Sequence, residues 1–145
     1  MISLIQRVSE ARVTVDGDTT GQIGRGILVF LAVQPGDTDA TVARMAERVV
    51  TYRVFPDETG RMNRSLADEG LALLVVPQFT LAADTKKGTR ASFTRAAPPE
   101  MGSAYFERFV AQCRSSLETV ETGVFGADMK VSLVNDGPVT FWLEA

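Results

Sequence analysis

The sequence predicts an α/β protein, a single three-layer domain with mixed β-sheets and two main helices. The chain has 145 residues, the length of one domain. Short apolar runs typical of strands recur along it, and two longer segments repeat apolar residues at helical spacing. No internal repeat or low-complexity segment divides the chain, so we assign residues 1–145 to one domain.

The first part of the chain is predicted to consist of strands. Residues 2–8 and 11–15 alternate apolar and polar side chains, which is the pattern of half-buried strands. The turn-forming segment 16–18, Asp-Gly-Asp, predicts a hairpin that returns over residues 20–23. Residues 27–33 are continuously apolar and predict a buried strand.

The first helix is expected after residue 38. Asp37 or Thr38 can cap it, because both side chains accept hydrogen bonds from free N–H groups. Its apolar face comprises Val42, Met45, Ala46, Val49 and Val50. Short strands are predicted at 53–55 and 71–76.

A surface loop and the second helix are predicted next. Residues 84–94 are polar, basic and without periodicity, as in a loop. Pro98 and Pro99 suit a helix start. The apolar face of this helix comprises Tyr105, Phe106, Phe109, Val110, Cys113 and Leu117. Since Cys113 lies on that face, we interpret it as a core residue rather than a nucleophile.

The end of the chain predicts three strands, at 120–124, 130–134 and 139–143, with a turn at 135–138 between the last two. The final strand would leave a free sheet edge or form a subunit interface.

The absence of histidine restricts the chemistry. A Ser-His-Asp triad or a Cys-His pair cannot form, and the usual general base near neutral pH is missing. With a single cysteine as well, we expect no metal site and no cofactor. A hydrolase of this composition must use carboxylates, backbone groups or its own substrate for proton transfer.

Charge and hydropathy indicate the class of protein. Fifteen Lys and Arg against eighteen Asp and Glu give a net charge of −3. That balance argues against a protein that coats long nucleic acid, but it allows an enzyme that binds only the end of an RNA. No apolar run approaches the roughly 18 residues that span a membrane, and the first residues lack signal-peptide features. We therefore expect a cytoplasmic protein.

Residues 77–81, Pro-Gln-Phe-Thr-Leu, are the first candidate site. They follow a predicted buried strand, and ligands of α/β proteins bind at such strand ends. Thr80 offers a hydroxyl, Gln78 an amide, and the backbone N–H groups can stabilise a developing oxyanion. The alternative is an ordinary strand end whose hydroxyl satisfies the backbone.

Residues 135–140, Asn-Asp-Gly-Pro-Val-Thr, are the second candidate. A cis bond between Gly137 and Pro138 would turn two carbonyls to one side, where they can accept hydrogen bonds from an ammonium group. The sequence leaves open whether the bond is cis or trans, and whether the segment is only a tight turn.

A basic cluster is the third candidate, since Lys86, Lys87, Arg90 and Arg95 lie within ten residues of one another. In an acidic chain such a cluster favours phosphate contacts, although a solvated loop is the alternative. Phe93 in this loop could stack on a base or anchor the loop.

Two of these segments resemble motifs of the D-aminoacyl-tRNA deacylases. Residues 77–81 resemble the Ser-Gln-Phe-Thr-Leu motif of that family, and residues 135–140 resemble its Asn-x-Gly-Pro-Val/Phe-Thr motif. Residues 1–8, 81–85 and 127–143 are also similar, so the resemblance covers essentially the whole chain.

The resemblance implies a homodimer that hydrolyses the ester of D-aminoacyl-tRNA or glycyl-tRNA. In such a homodimer, Gly137 and Pro138 are joined by a cis bond and braced by Arg7. Their carbonyls enter the partner's site, where they capture the α-ammonium and exclude L-amino acids. The residues implied to act on the ester are Gln78, Phe79 and Thr80. Those implied to select the substrate are Gly137, Pro138, Arg7 and Met129, and tRNA contacts are expected at Lys86, Lys87 and Arg90. The tRNA 2′-hydroxyl would help to position or activate the water, with Thr80 positioning groups rather than acting as the nucleophile.

Position 77 departs from the family pattern, because proline stands where serine is usual. Proline lacks both the N–H and the hydroxyl, so any role of that serine is in doubt. With proline at this position, the motif resembles that of a related deacylase group, which removes L-alanine from a wrong tRNA. That activity, a non-catalytic nucleic-acid-binding dimer and a structural dimer are the competing hypotheses. Arg7 also has a simpler interpretation, as an exposed strand residue.

Overall fold

The computed structural model describes residues 1–145. It contains eight strands, three α-helices and one 3-10 turn. Their order is β1 (Ile2–Val15), β2 (Asp18–Ile23), β3 (Gly26–Ala32), α1 (Asp39–Thr51), β4 (Phe55–Pro56), β5 (Met62–Arg64), α2 (Leu66–Glu69), β6 (Ala72–Pro77), the 3-10 turn Phe79–Ala82, α3 (Pro99–Arg114), β7 (Val120–Thr122) and β8 (Lys130–Glu144).

The long strand β1 organises a mixed six-stranded sheet. The sheet order is β2-β1-β3-β6-β7, and β8 pairs with β1 as well. The first half of β1 pairs with β3 and its second half with β2, both antiparallel, while β8 runs antiparallel along nearly all of it. The pairs β3–β6 and β6–β7 are parallel, and β4 and β5 form a separate hairpin.

Two hydrophobic cores lie on opposite faces of this sheet. Alternate residues of β3 and β6, such as Ile27 and Leu73, face the helices α1 and α3 in the larger core. Their neighbours Leu28 and Leu74 face the second half of β1 and the strand β2 in the smaller core. The predicted α/β class with a mixed sheet and two main helices is therefore confirmed.

Both predicted helices form, and their predicted apolar faces are buried except for the half-buried Tyr105. Leu117 is buried as well, but it lies beyond the end of α3. Thr38 caps α1, because its hydroxyl accepts a hydrogen bond from the Thr41 N–H at 3.4 Å. Pro98 and Pro99 stand at the start of α3. Burial raises the pKa of the Cys113 thiol to about 12, which confirms it as a core residue. None of the helices is long and apolar enough to cross a membrane.

The predicted turn at residues 135–138 is wrong. Both flanking segments pair with β1 in the same direction, so the chain does not reverse and β8 is one continuous strand. Val8 faces Asn135 and Gln6 faces Thr140, so the four residues 136–139 stand opposite the single residue Arg7. The segment is therefore an extended bulge. Glycine and proline occur in bulges as well as in turns, so the local sequence does not distinguish the two.

Other differences concern short elements. Residues 2–8 and 11–15 belong to the single strand β1, and the strand predicted at 53–55 is the two-residue β4. The strand β5, the one-turn helix α2 and the 3-10 turn were not predicted, since three or four residues are too few to show a period.

In the β4–β5 loop, hydrogen bonds from Thr59 and Asn63 lower the pKa of Asp57.

The close approach of β3 to β6 requires glycine at position 26. A Cβ on Gly26 would lie 1.9 Å from the Ala72 carbonyl oxygen, so the two backbones would have to separate. We expect Gly26→Ala to destabilise the fold by about 3 kcal/mol, measured by urea unfolding. Gly24→Ala is the matched control, because its Cβ would meet nothing within 4 Å. Equal unfolding midpoints for the two variants would contradict this packing.

Candidate active site

A pocket of about 450 Å³ opens beyond the end of β6. The Gln78 N–H donates to the Leu31 carbonyl at 2.8 Å, and this bond fixes the chain where it leaves the sheet. The pocket walls are mostly apolar. The lining residues are Val76, Pro77, Gln78, Phe79, Ala97, Pro99, Phe125, Gly126, Ala127, Asp128, Met129 and Val131.

The 3-10 turn Phe79–Ala82 presents the first candidate motif at this pocket. Its first backbone hydrogen bond runs from the Leu81 N–H to the Gln78 carbonyl at 3.2 Å. The N–H groups of Phe79 and Thr80 precede that bond, so the turn itself does not use them. These two adjacent N–H groups are the candidate donors to a ligand oxygen.

The Thr80 hydroxyl has no base beside it. Its hydrogen-bond partner is the Gln78 side-chain amide, which donates to it. An amide does not accept a proton at neutral pH, so this contact does not activate Thr80 as a nucleophile. Both side chains are instead held in fixed positions relative to the free N–H groups.

Met129 forms part of the pocket wall. Its sulfur accepts a hydrogen bond from the Val124 N–H at 3.4 Å. A Cβ on Gly123 would lie 2.8 Å from that sulfur and 3.4 Å from the Pro77 ring, so a larger residue at position 123 would displace the Met129 side chain. Pro77 itself ends β6, a position where a missing N–H is tolerated.

Sequence reasoning missed several wall residues, most notably Phe125. It follows β7 in an irregular segment, and its ring is 38% exposed although it lines the pocket. No local periodicity identifies it, because the parallel β6–β7 pairing brings it to this place.

The basic loop lies next to the same pocket. Lys86, Lys87 and Arg90 are exposed on it, as expected. Asp84 and Ser92 close the loop with two backbone hydrogen bonds of 2.8 and 3.0 Å. At its end, the Phe93 ring lies 5.2 Å from the Phe79 ring, so the loop contacts the candidate motif.

The bulge of β8 is a second, separate candidate centre. Asn135 closes it by accepting from the Val139 N–H at 2.8 Å and donating to the Thr140 hydroxyl at 3.0 Å. Gly137 and Pro138 are exposed at its tip and are joined by a cis peptide bond.

Arg7 holds this bulge from below. Its Nε donates to the Asp136 carbonyl at 2.8 Å, and its Nη1 donates to the Val54 carbonyl at 2.6 Å. The Arg7 side chain is only 14% exposed, so the interpretation as a free surface residue is wrong.

The two centres of one chain lie far apart. The pocket is level with Ser3 along β1, through the pairs Ser3–Leu31 and Leu31–Pro77, whereas the bulge faces Arg7. Four strand residues span about 13 Å, and three strand spacings from β8 to β6 span about 14 Å. The structure therefore groups Gln78, Phe79, Thr80 and Met129 with the basic loop, and Arg7 with Gly137 and Pro138.

Charge is scarce at the pocket. Asp128 is the one ionisable side chain in its walls, and its carboxylate lies 3.7 Å from the Lys130 ammonium. No cluster of three or more His, Cys, Asp or Glu side chains is placed to hold a metal ion. The arrangement offers apolar walls, two backbone N–H donors, an amide and a hydroxyl.

Comparisons with known proteins point to one family. The family model described as D-Tyr-tRNA(Tyr) deacylase matches residues 4–144. The chain is similar to a D-aminoacyl-tRNA deacylase of Thioalkalivibrio sulfidiphilus, with 63% identity over 99% of this chain and 97% of the relative. A D-aminoacyl-tRNA deacylase of Alkalilimnicola ehrlichii is 61% identical over 100% of this chain and 97% of its own length.

Two solved structures share the fold. One, named c-Myc DNA Unwinding Element Binding Protein, has a TM-score of 0.95 and 38% identity, covering 100% of this chain and 99% of its own. The other, a probable eukaryotic D-amino acid tRNA deacylase, has a TM-score of 0.87 and 17% identity, covering 98% and 97%. With a family match over nearly its whole length and relatives above 60% identity, the chain belongs to the D-Tyr-tRNA(Tyr) deacylase family.

Proposed function

We propose that this protein hydrolyses the ester bond between a D-amino acid, or glycine, and the 3′ end of tRNA, releasing the free amino acid and tRNA. Membership of the deacylase family supports the reaction class. The observation that carries the proposal is the 3-10 turn beside an apolar pocket: Phe79 lines the pocket, and the hydrogen bonds of the turn do not use the N–H groups of Phe79 and Thr80.

The pocket is suited to the terminal nucleoside of tRNA. Its volume lies within the range of small-ligand sites, and the Phe79, Phe125 and Met129 side chains offer apolar surface to a flat base. A base in this pocket brings the ribose 3′ ester to the 3-10 turn. The site therefore binds the leaving group and leaves the amino acid outside the pocket.

Hydrolysis requires water to attack the ester carbonyl. The N–H groups of Phe79 and Thr80 stabilise the oxyanion that forms on that carbonyl oxygen. The carbon–oxygen bond to the ribose then breaks, and the ribose oxygen takes up the proton that the water loses. The adjacent 2′-hydroxyl positions the water, while Gln78 and Thr80 hold the geometry of the turn.

Selection of D-amino acids is assigned to the bulge of a second copy. The carbonyls of Gly137 and Pro138 accept hydrogen bonds from the substrate α-ammonium, so an L side chain collides with the bulge while glycine passes. Arg7 holds the bulge in place. The bulge lies far from the pocket of its own chain, and this distance supports a site built across a homodimer. A two-fold axis makes two such sites at once.

The substrate reaches this site through the basic loop. The phosphates of the acceptor end are contacted by Lys86, Lys87 and Arg90. The chain as a whole has a net charge of −3 and does not attract phosphates, so this local cluster has to do so. We place the protein in the cytoplasm, where aminoacyl-tRNA is used, and treat residues 1–145 as one domain.

Pro77 supports a second candidate, editing of L-alanyl-tRNA with relaxed chirality. The proline removes one N–H and one hydroxyl from the pocket wall. A non-catalytic nucleic-acid-binding dimer is the third, because one similar structure is named as a DNA-binding protein.

The three candidates predict different substrate profiles. The purified protein is incubated in parallel with D-Tyr-tRNA, L-Tyr-tRNA, Gly-tRNA and L-Ala-tRNA. We expect rapid loss of the D-tyrosyl and glycyl esters while both L esters persist. Loss of L-alanyl ester would favour the second candidate, and binding without any turnover would favour the third.

The bulge itself is tested by Gly137→Ala. A Cβ at this position would lie 2.6 Å from the Val139 nitrogen, so the tip of the bulge must move. We expect D-ester hydrolysis to fall about 100-fold, as for a displaced catalytic contact, with an unchanged unfolding midpoint. Gly36→Ala, whose Cβ meets nothing within 4 Å, is the control. Full activity of the Gly137 variant would exclude a role for the bulge.

The basic loop is tested by replacing Lys86 and Lys87 with alanine. Loss of two phosphate contacts should raise KM for D-Tyr-tRNA and lower the slope of log KM against log salt by roughly 1 to 2. Replacing exposed Arg44 and Arg61 removes the same charge elsewhere and should change neither. Identical salt slopes for both double variants would place the RNA on another surface.

A further inference from the structure

Two large aromatic side chains are exposed side by side at the edge of the pocket. Phe79 is 56% exposed and Phe93 is 46% exposed. Their ring centroids are 5.2 Å apart, with an interplanar angle of 56°. Each ring uses one side for this contact and leaves much of its surface to solvent. An exposed pair of this kind indicates a binding surface more than a single exposed residue does.

Phe93 is held at a fixed place relative to the pocket. Its carbonyl accepts a hydrogen bond from the Ala96 N–H at 3.1 Å, and the Ala97 N–H donates to the Val33 carbonyl at 3.2 Å. Ala97 lines the pocket, so only a few residues separate the Phe93 ring from the pocket wall. Phe79 lines the pocket as well and joins the two surfaces.

The charges of the same loop complement an RNA backbone. Lys86, Lys87 and Arg90 are exposed, whereas Arg95 lies 3.7 Å from the Asp84 carboxylate. Exposed aromatic rings beside uncommitted cations are the combination that binds unpaired nucleotides, with bases on the rings and phosphates on the cations. No other exposed aromatic pair of this chain has such a loop beside it.

We propose that Phe93, together with the outer side of Phe79, forms a stacking subsite for the nucleotide that precedes the terminal adenosine in the unpaired 3′ end of tRNA. This inference rests on the proposed function, because it assumes that the terminal nucleoside occupies the pocket. The subsite makes recognition depend on the penultimate base, and it adds affinity for tRNA without contacting the ester.

The experiment compares the D-tyrosyl esters of adenosine and of the dinucleotide CpA. For the unaltered protein, we expect KM to fall about 5- to 100-fold from adenosine to CpA, the range for stacking of one base on one ring. Phe93→Ala should abolish that decrease. The readout is the KM ratio of the two esters within each variant, so a general change of activity cancels.

Two further variants separate stacking from simple anchoring of the loop. Phe93→Leu keeps apolar volume and contact with Phe79 but removes the aromatic face, whereas Phe93→Trp keeps a face for stacking. We expect the KM decrease to disappear in the leucine variant and to persist in the tryptophan variant. Equal KM ratios in the unaltered, alanine, leucine and tryptophan proteins would overturn the subsite.

Calorimetry with uncharged adenosine and CpA makes the result independent of catalysis. Tighter binding of CpA than of adenosine, lost in Phe93→Ala and Phe93→Leu, supports the subsite even if no ester is hydrolysed, in which case only the proposed function fails. Equal affinities for adenosine and CpA in the unaltered protein would overturn the subsite while leaving ester hydrolysis intact.

Discussion

The pairing of β1 with β8 is the constraint on which the rest of the structure depends. These strands run antiparallel along nearly their whole lengths, and β1 also carries β3 and β2 on its other edge. The register shifts between the pairs Gln6–Thr140 and Val8–Asn135, so the four residues 136–139 face the single residue Arg7 and have to leave the sheet there. The exposed Gly137-Pro138 tip follows directly from this pairing.

The same pairing sets the distance between the two centres. The pocket forms where β6 ends, four residues along β1 from Arg7 and three strands away from β8. One chain therefore keeps the pocket and the bulge apart. In the proposed homodimer, a two-fold axis brings the bulge of each chain to the pocket of the other.

A chain without histidine carries out its proposed chemistry with backbone groups. In the proposed function, the N–H groups of Phe79 and Thr80 are assigned to the ester, and the carbonyls of Gly137 and Pro138 to the ammonium. Backbone groups keep their protonation state across the physiological range, so side chains serve mainly to hold them. Gln78 fixes the turn, while Asn135 and Arg7 fix the bulge.

Elements with a clear period could be predicted from the sequence, and those fixed by distant contacts could not. The buried faces of α1 and α3 and the strand β3 follow from apolar spacing. The bulge was predicted as a turn because strand register depends on pairing with a distant strand, which the sequence of residues 135–138 does not indicate. Phe125 was missed for the same reason, as the β6–β7 pairing places it. Residues 77–81 were found because their side chains and strand-end position are both local.

The central claim is that each site combines the pocket of one chain with the bulge of another. It is tested most directly by a purified heterodimer of Phe79→Pro, which removes one N–H donor, and Gly137→Ala. Each parent homodimer is expected to be inactive on D-Tyr-tRNA, while the heterodimer retains one intact site of two and about half of the unaltered activity. A stable heterodimer as inactive as its parents would show that pocket and bulge must belong to the same chain, which contradicts the account.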